Sequence, residues 1–180
     1  MITLSLVCQR SQCLRNETYD TGSMNRHQAL SQPAAPVLAL DLGEKLVGAA
    51  VSDDRLVTIK RLAPLKRSNW KRLLQEVVTL ITRYDAQTVV IGLPLNLDGT
   101  GGEAAEKARQ VATNLARSIT QPVYLQDERL TSVEAMANLK AEGHKPGDIP
   151  GLIDGEAAAM ILRDFIQVDQ NRILVSPSQR

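Results

Sequence analysis

Val37-Leu38-Ala39-Leu40-Asp41-Leu42-Gly43-Glu44-Lys45 is a short apolar run that ends in one carboxylate, with a glycine two residues further on. Runs of this length, closed by a turn signal, read as buried strands. A carboxylate at the exit of a buried strand is costly unless something pairs with it. Asp41 is therefore the first candidate for a metal ligand or a reacting group. The competing reading makes it a turn residue ahead of Gly43. The rest of the chain is informative to the extent that it returns other carboxylates to this point.

Working outward, Leu46–Ser52 reads as a second strand, kept small by Gly48-Ala49-Ala50, so something packs closely on it. Val57–Ala63 reads as a third strand after the Asp53-Asp54 turn. Three strands joined by short turns make an antiparallel meander. From Ser68 the period becomes helical, with Trp70, Leu73, Leu74, Val77, Val78, Ile81 and Tyr84 on one face. Thr88–Leu93 is a continuous apolar strand closed by Pro94, and Leu95–Gly102 a glycine-rich loop. Glu103–Ser118 is a second helix, and Pro122–Leu125 a fifth strand that runs into Gln126-Asp127-Glu128-Arg129. Thr131 and Glu134 form a capping box for a helix over Ser132–Glu142, which Gly143 stops. Gly143–Gly151 reads as a mobile loop holding His144 and Lys145. Asp154 opens the last helix, whose face continues through Ala158, Ile161 and Phe165. The order βββαβαβαα predicts an α/β fold, a mixed five-stranded sheet with helices on its faces.

The chain has 180 residues, 43% apolar and 23% charged, with a formal net charge of +1. These are the proportions of a globular protein with one core, and they exclude a polycation. Residues 1–35 read as a disordered or loosely attached extension, 36–168 as the single domain and 169–180 as a polar tail. Met24 offers an internal point at which translation could begin. Cys8 and Cys13 both lie in the extension, so the body holds neither a disulfide framework nor a cysteine zinc site. No run of apolar residues is long enough to span a bilayer, and the expected location is cytoplasmic, with no membrane partner.

Three acids stand out by position. Asp41 and Glu128, with Asp127 beside it, leave strands at the end where open α/β sheets bind ligands. Asp154 lies on the core-facing side of the last helix. Alone, each has a plainer reading: Asp154 as an N-cap, Glu128 or Asp127 as a surface partner of Arg129. Three converging carboxylates repel one another, and hard divalent cations such as Mg²⁺ remove that penalty through oxygen ligands.

Four ordered segments carry a resemblance: Asp41-Leu42-Gly43-Glu44-Lys45-Leu46-Val47-Gly48, Gly92-Leu93-Pro94-Leu95-Asn96-Leu97-Asp98-Gly99, Asp127-Glu128-Arg129-Leu130-Thr131-Ser132 and Asp154-Gly155-Glu156-Ala157-Ala158-Ala159. From about Val37 to Gln167 the chain resembles the YqgF family, also called RuvX, within the RNase H-like (RuvC-like) nuclease superfamily. The resemblance implies an RNase H-like fold and a divalent-metal nuclease with Asp41, Glu128 and Asp154 as metal-binding catalytic acids. It implies Mg²⁺ or Mn²⁺ as cofactor, as two ions, and nucleic acid as partner. The proposed work of the family is on the 5′ end of pre-16S rRNA or on branched DNA; ribosomal precursor particles are then candidate partners, and the sequence leaves the acting form open between monomer and homodimer. RNase H-like nucleases usually carry their second acid at the end of strand four. Here that place reads Gly92-Leu93-Pro94, and the acid moves to Glu128.

Lys45, Asn96, Arg129 and Lys145 are the candidate substrate contacts. Lys45 follows Asp41 by four residues and could meet a phosphate, or be a solvated turn lysine. Arg55, Lys60, Arg61, Lys66, Arg67, Lys71 and Arg72 fall in 55–75, a window without Asp or Glu. It reads as a phosphate-tracking surface or as a solvated face. A strand-one Asp-x-Gly also fits a phosphotransferase of the actin or sugar-kinase type, which needs two such domains; the other alternative is a non-catalytic RNA-binding or ribosome-associated protein that has kept the fold.

Overall fold

A computed structural model describes residues 32–96, 98–128, 138–139, 141–143, 149–167 and 172–176. The apolar run at its centre becomes β1 (Val37–Leu42), paired antiparallel with β2 (Leu46–Ser52) and parallel with β5 (Thr88–Leu93). Side chains alternate between faces along a strand, and β1 separates them cleanly. Leu38 and Leu40 join one core with Leu73, Val77 and Ile81 of α1 (Trp70–Tyr84) and Ala105, Ala108 and Leu115 of α2 (Glu103–Ala116). Val37 and Ala39 join a second core with Ala158, Ile161, Leu162 and Phe165 of α3 (Ile149–Gln167). The expected mixed α/β sheet with helices on both faces is what forms.

The sheet order is β3-β2-β1-β5-β6-β7, with β4 also on β2. β6 (Val123–Asp127) runs parallel to β5, as the helical crossover predicts. Two strands lie outside the expected five. The run read as one strand over Val57–Ala63 is broken into β3 (Ile59–Arg61) and β4 (Leu65–Lys66), both antiparallel to β2. Two local causes are visible. Residues 53–58 are spent on a turn, in which Asp53 Oδ1 accepts the Val57 N–H at 2.8 Å and Leu56 has φ 58°. Pro64, which has no N–H for a ladder, then separates β3 from β4. The second addition is β7 (Arg172–Leu174), antiparallel to β6, inside the segment read as a polar tail.

α1 is capped by Asn69, whose side chain accepts the Arg72 N–H, and closes on a left-handed Asp85. α3 starts at Ile149 and not at Asp154, which places Asp154 in its second turn and removes the N-cap reading. The expected helix over Ser132–Glu142 lies mostly outside the described residues; Asn138, Leu139 and Ala141 are helical, and Gly143 follows with φ 83°. No helix among the described residues is long and apolar enough to cross a membrane.

Candidate active site

The site forms where β1, β5 and β6 end, on the sheet face that α3 covers. Alternation puts Asp41 on the same face as Val37 and Ala39. Directly opposite it in register is Gly48 of β2. A Cβ on Gly48 would overlap the backbone carbonyl of Asp154, so only the bare glycine lets α3 come down at this point. The small residues of β2 are thus explained by a helix backbone, the bulky neighbour that their composition called for. Asp154 Oδ1 lies 4.0 Å from where a Cβ of Gly43 would stand, which brings its carboxylate to the β1–β2 turn.

Glu128 arrives from the other side. The β1–β5 register ends at Leu40 and Ile91, which sets Asp41 beside Gly92. A Cβ on Gly92 would overlap Glu128 Oε2 and lie 2.6 Å from Ile161 Cδ1. The Glu128 carboxylate therefore fills the space a side chain at residue 92 would occupy. An acid missing from the end of β5 is supplied, in the same place, from the end of β6. Asp127, facing the α2 side by alternation along β6, is set apart from Glu128 in this way.

Electrostatics bind the three together. Burial, and then the charge of Asp154, raise the Asp41 carboxyl to about 6. Burial, then Asp41 and then Asp127, raise Glu128 to about 8. Asp41 is the central member, coupled to an acid on either side. Among the described residues no group of three or more His, Cys, Asp and Glu side chains could hold a metal ion as it stands. Mutually repelling carboxylates spread apart, and the coupling is pairwise, Asp41 with Asp154 and Asp41 with Glu128. That pattern leaves Asp41 as the acid coupled to both of the others. The donor set is also right: these are oxygen ligands whose charge is penalised until a cation arrives. Gln126, on the same face as Glu128 and fully buried, leaves its Oε1 without a hydrogen-bond partner among the described residues. A further oxygen acceptor beside the acids fits the same chemistry.

The substrate candidates are dispersed. Lys45 is exposed on the turn beyond Asp41. Asn96 braces its own loop, donating through Nδ2 to Thr100 Oγ1 at 2.9 Å. Arg129 and Lys145 lie outside the described residues, as does His144. The basic window does not act as one surface. Arg61 turns under α3 to Glu156 at 2.8 Å and Glu142 at 3.0 Å, and Arg72 pairs with Glu76 at 3.3 Å. Arg67 donates to Gly43 O at 2.7 Å, and its N–H bonds Lys45 O at 3.0 Å. It holds the turn that carries Asp41 and Lys45, a role its place in a charge run concealed. Glu156 was also missed; its signals were its place in a quoted motif and Arg163 two helical turns on.

Compared with known proteins, residues 35–168 match the family model described as "RuvX: Holliday junction resolvase". A curated protein of an Anaeromyxobacter species, described as "Putative pre-16S rRNA nuclease", is 38% identical over 129 residues, 72% of this chain and 94% of that protein. Proteins of the same description are 36% identical over 138 residues in Syntrophus aciditrophicus (76% and 92% covered) and 34% over 134 in Synechococcus elongatus (74% and 90% covered). Among solved structures, T. thermophilus RuvC in complex with Holliday junction substrate aligns at a TM-score of 0.47 with 17% identity, over 72% of this chain and 92% of that one.

Proposed function

The chain belongs to the RuvX family, and on that premise we propose that it is a nuclease that hydrolyses phosphodiester bonds, with Asp41, Glu128 and Asp154 as its catalytic acids. The observation that carries the reading is the delivery of three carboxylates from β1, the end of β6 and α3 to one face of the sheet, where Asp154 raises the cost of charge on Asp41 and Asp41 raises it on Glu128. The names of the curated relatives favour the 5′ end of pre-16S rRNA as substrate, and with it a cytoplasmic role in ribosome biogenesis. The description of the family model favours a four-way DNA junction as the second reading.

Asp41, Glu128 and Asp154 would be the residues that hold divalent cations. Mg²⁺ or Mn²⁺ bound there would supply a water of lowered pKa and neutralise charge building on the phosphoryl oxygens. The protein's part is to orient and to exclude. Gly43 and Gly92 keep side chains out of the space beside the acids, and α3 shields them from bulk water. Arg67 holds the Gly43–Lys45 turn in place, so that Lys45 presents its charge next to Asp41. Protons leave Asp41 and Glu128 when a cation binds, so the acids take up a cation more readily as pH rises through 6 to 8.

The deciding experiment is cleavage of a 5′-extended 16S rRNA precursor and of a four-way DNA junction, with Mg²⁺ or Mn²⁺, by wild type and Asp41→Asn. Metal-dependent cutting of the RNA alone, absent in the variant, supports the first reading; cutting of the junction alone supports the second. A folded Asp41→Asn protein with full activity would reject the site.

A further inference from the structure

Among the described residues Glu156 is the one fully buried charged side chain, with 0% of its surface exposed, and the reaction above gives it no role. Both its carboxylate oxygens are engaged. Oε2 accepts from Arg61 Nη1 at 2.8 Å; Oε1 accepts from Arg163 Nη1 at 3.0 Å and Asn138 Nδ2 at 3.3 Å. Arg61 comes from β3 and also reaches Glu142 at 3.0 Å, so the cluster ties β3, α3 and the segment around Asn138 together. Only the carboxylate is buried, while the Arg61 and Arg163 side chains are 36% and 43% exposed, so desolvation of Glu156 offsets much of the attraction and the pairs add little net stability. What they can fix is register.

Register matters at this point of α3. Asp154 rests its backbone on Gly48, opposite Asp41. A Cβ on Gly155 would lie 3.6 Å from both Arg61 Cβ and Leu62 O. Residues 154–156 therefore lie across β2 and β3, and the third of them is locked to Arg61. Ile161, Leu162 and Phe165 anchor the helix further on, but the residues that directly follow Glu156 are Ala157, Ala158 and Ala159, small side chains that give this first stretch little grip of its own. A slip of one residue would move Asp154 about 1.5 Å along the helix and turn it through about 100°.

We propose that Glu156, clamped by Arg61 and Arg163, is the positioning residue that sets Asp154 against Gly48 and so opposite Asp41. The proposal rests on the reading of Asp154 as an active-site acid. It assigns Arg61, the middle of the basic window, to the architecture of the site and not to the nucleic acid.

The test compares wild type, Glu156→Gln, Arg163→Met and Asp154→Asn as full chains, well below each melting temperature. The substrate is the 5′-extended rRNA precursor with Mg²⁺. Glu156→Gln is expected to lower kcat about 100-fold at unchanged KM, the scale of a misplacement of roughly 1 Å. Arg163→Met, which leaves Arg61 on the carboxylate, is expected to lower kcat by less. In metal-free protein, amide hydrogen exchange at residues 154–158 should quicken in Glu156→Gln while β1 stays as in wild type. Wild-type kcat in Glu156→Gln with only a lower melting temperature would overturn the proposal. If that variant does not fold, wild-type kcat and unchanged exchange in Arg163→Met would overturn it. Full activity of Asp154→Asn would instead reject the reading of the site. The exchange result would still stand as a measure of where Glu156 holds the helix.

Discussion

Asp41 and Glu128 hold their protons to about 6 and about 8, well above exposed carboxylates, because burial and mutual repulsion disfavour their charge. Both folded values are raised, so the stability these groups contribute is fully present below about pH 4, their unfolded range. It is lost as pH rises through 6 for Asp41 and 8 for Glu128. The metal-free protein should therefore melt at lower temperature at pH 8 than at pH 5, and Asp41→Asn with Glu128→Gln should flatten that slope in a calorimetric pH series. Mg²⁺ at about 100 times its dissociation constant should return about 2.7 kcal/mol to the wild type at pH 8 and little to the double variant. Gly92 makes a second residue-scale prediction. Its hydrogen is replaced in Gly92→Ala by a methyl that overlaps Glu128 Oε2 and crowds Ile161. The fold should lose about 1–3 kcal/mol in urea titration, the usual cost of overpacking. Cleavage should fall at least about 100-fold, as when one preorganised charge is removed from a site.

α3 is the element on which the site depends, and β7 is what ends it. Arg172 Nε donates to Phe165 O at 2.6 Å and Nη2 to Ile166 O at 3.2 Å, and the guanidinium stacks on the Phe165 ring at 4.8 Å. A cation on the last carbonyls of a helix answers its macrodipole. Phe165 in turn packs on Tyr124 of β6 with ring centroids 5.3 Å apart. The short strand thus couples the C-terminus of α3 to the edge of the sheet, which accounts for order in a segment whose composition is polar. Arg172→Met should cost about 1–3 kcal/mol, measured by denaturant titration, through loss of charged hydrogen bonds. Cleavage measured below the melting transition should change much less, because Asp154 lies about three turns away along the helix.

On the scale of the molecule, the basic window divides into two groups. Arg61, Arg67 and Arg72 are engaged with Glu156, Gly43 O and Glu76. Lys66 pairs in register with Leu46, next to the turn bearing Lys45, and Lys71 begins α1 nearby. Nucleic acid tracked by this side of the protein would meet lysines first. Changing Lys45, Lys60, Lys66 and Lys71 to Gln should reduce the slope of log K against log salt by up to about 0.9 per lost phosphate contact on duplex. Binding isotherms over a salt series measure it, and an unchanged slope would remove these lysines from the interface.

Much of this was legible in the chain itself. The apolar runs of β1 and β5, the helical period of α1 and the Ala158-Ile161-Phe165 face follow from local patterning, because burial on one side selects the same residues whatever lies opposite. Asp41 was marked as needing partners by its place at the end of a strand, and the resemblance of four segments singled out Glu128 and Asp154. Only the tertiary structure decided how the acids meet. Gly48 admits the α3 backbone, Gly92 leaves room for a carboxylate from the neighbouring strand, and the Glu156 cluster brings Arg61 back across 95 residues. Contacts of that kind depend on absent side chains and on pairings far apart in sequence, neither of which leaves a period to read. For the same reason Arg61 read only as part of a charged surface, although its guanidinium reaches across to the buried Glu156.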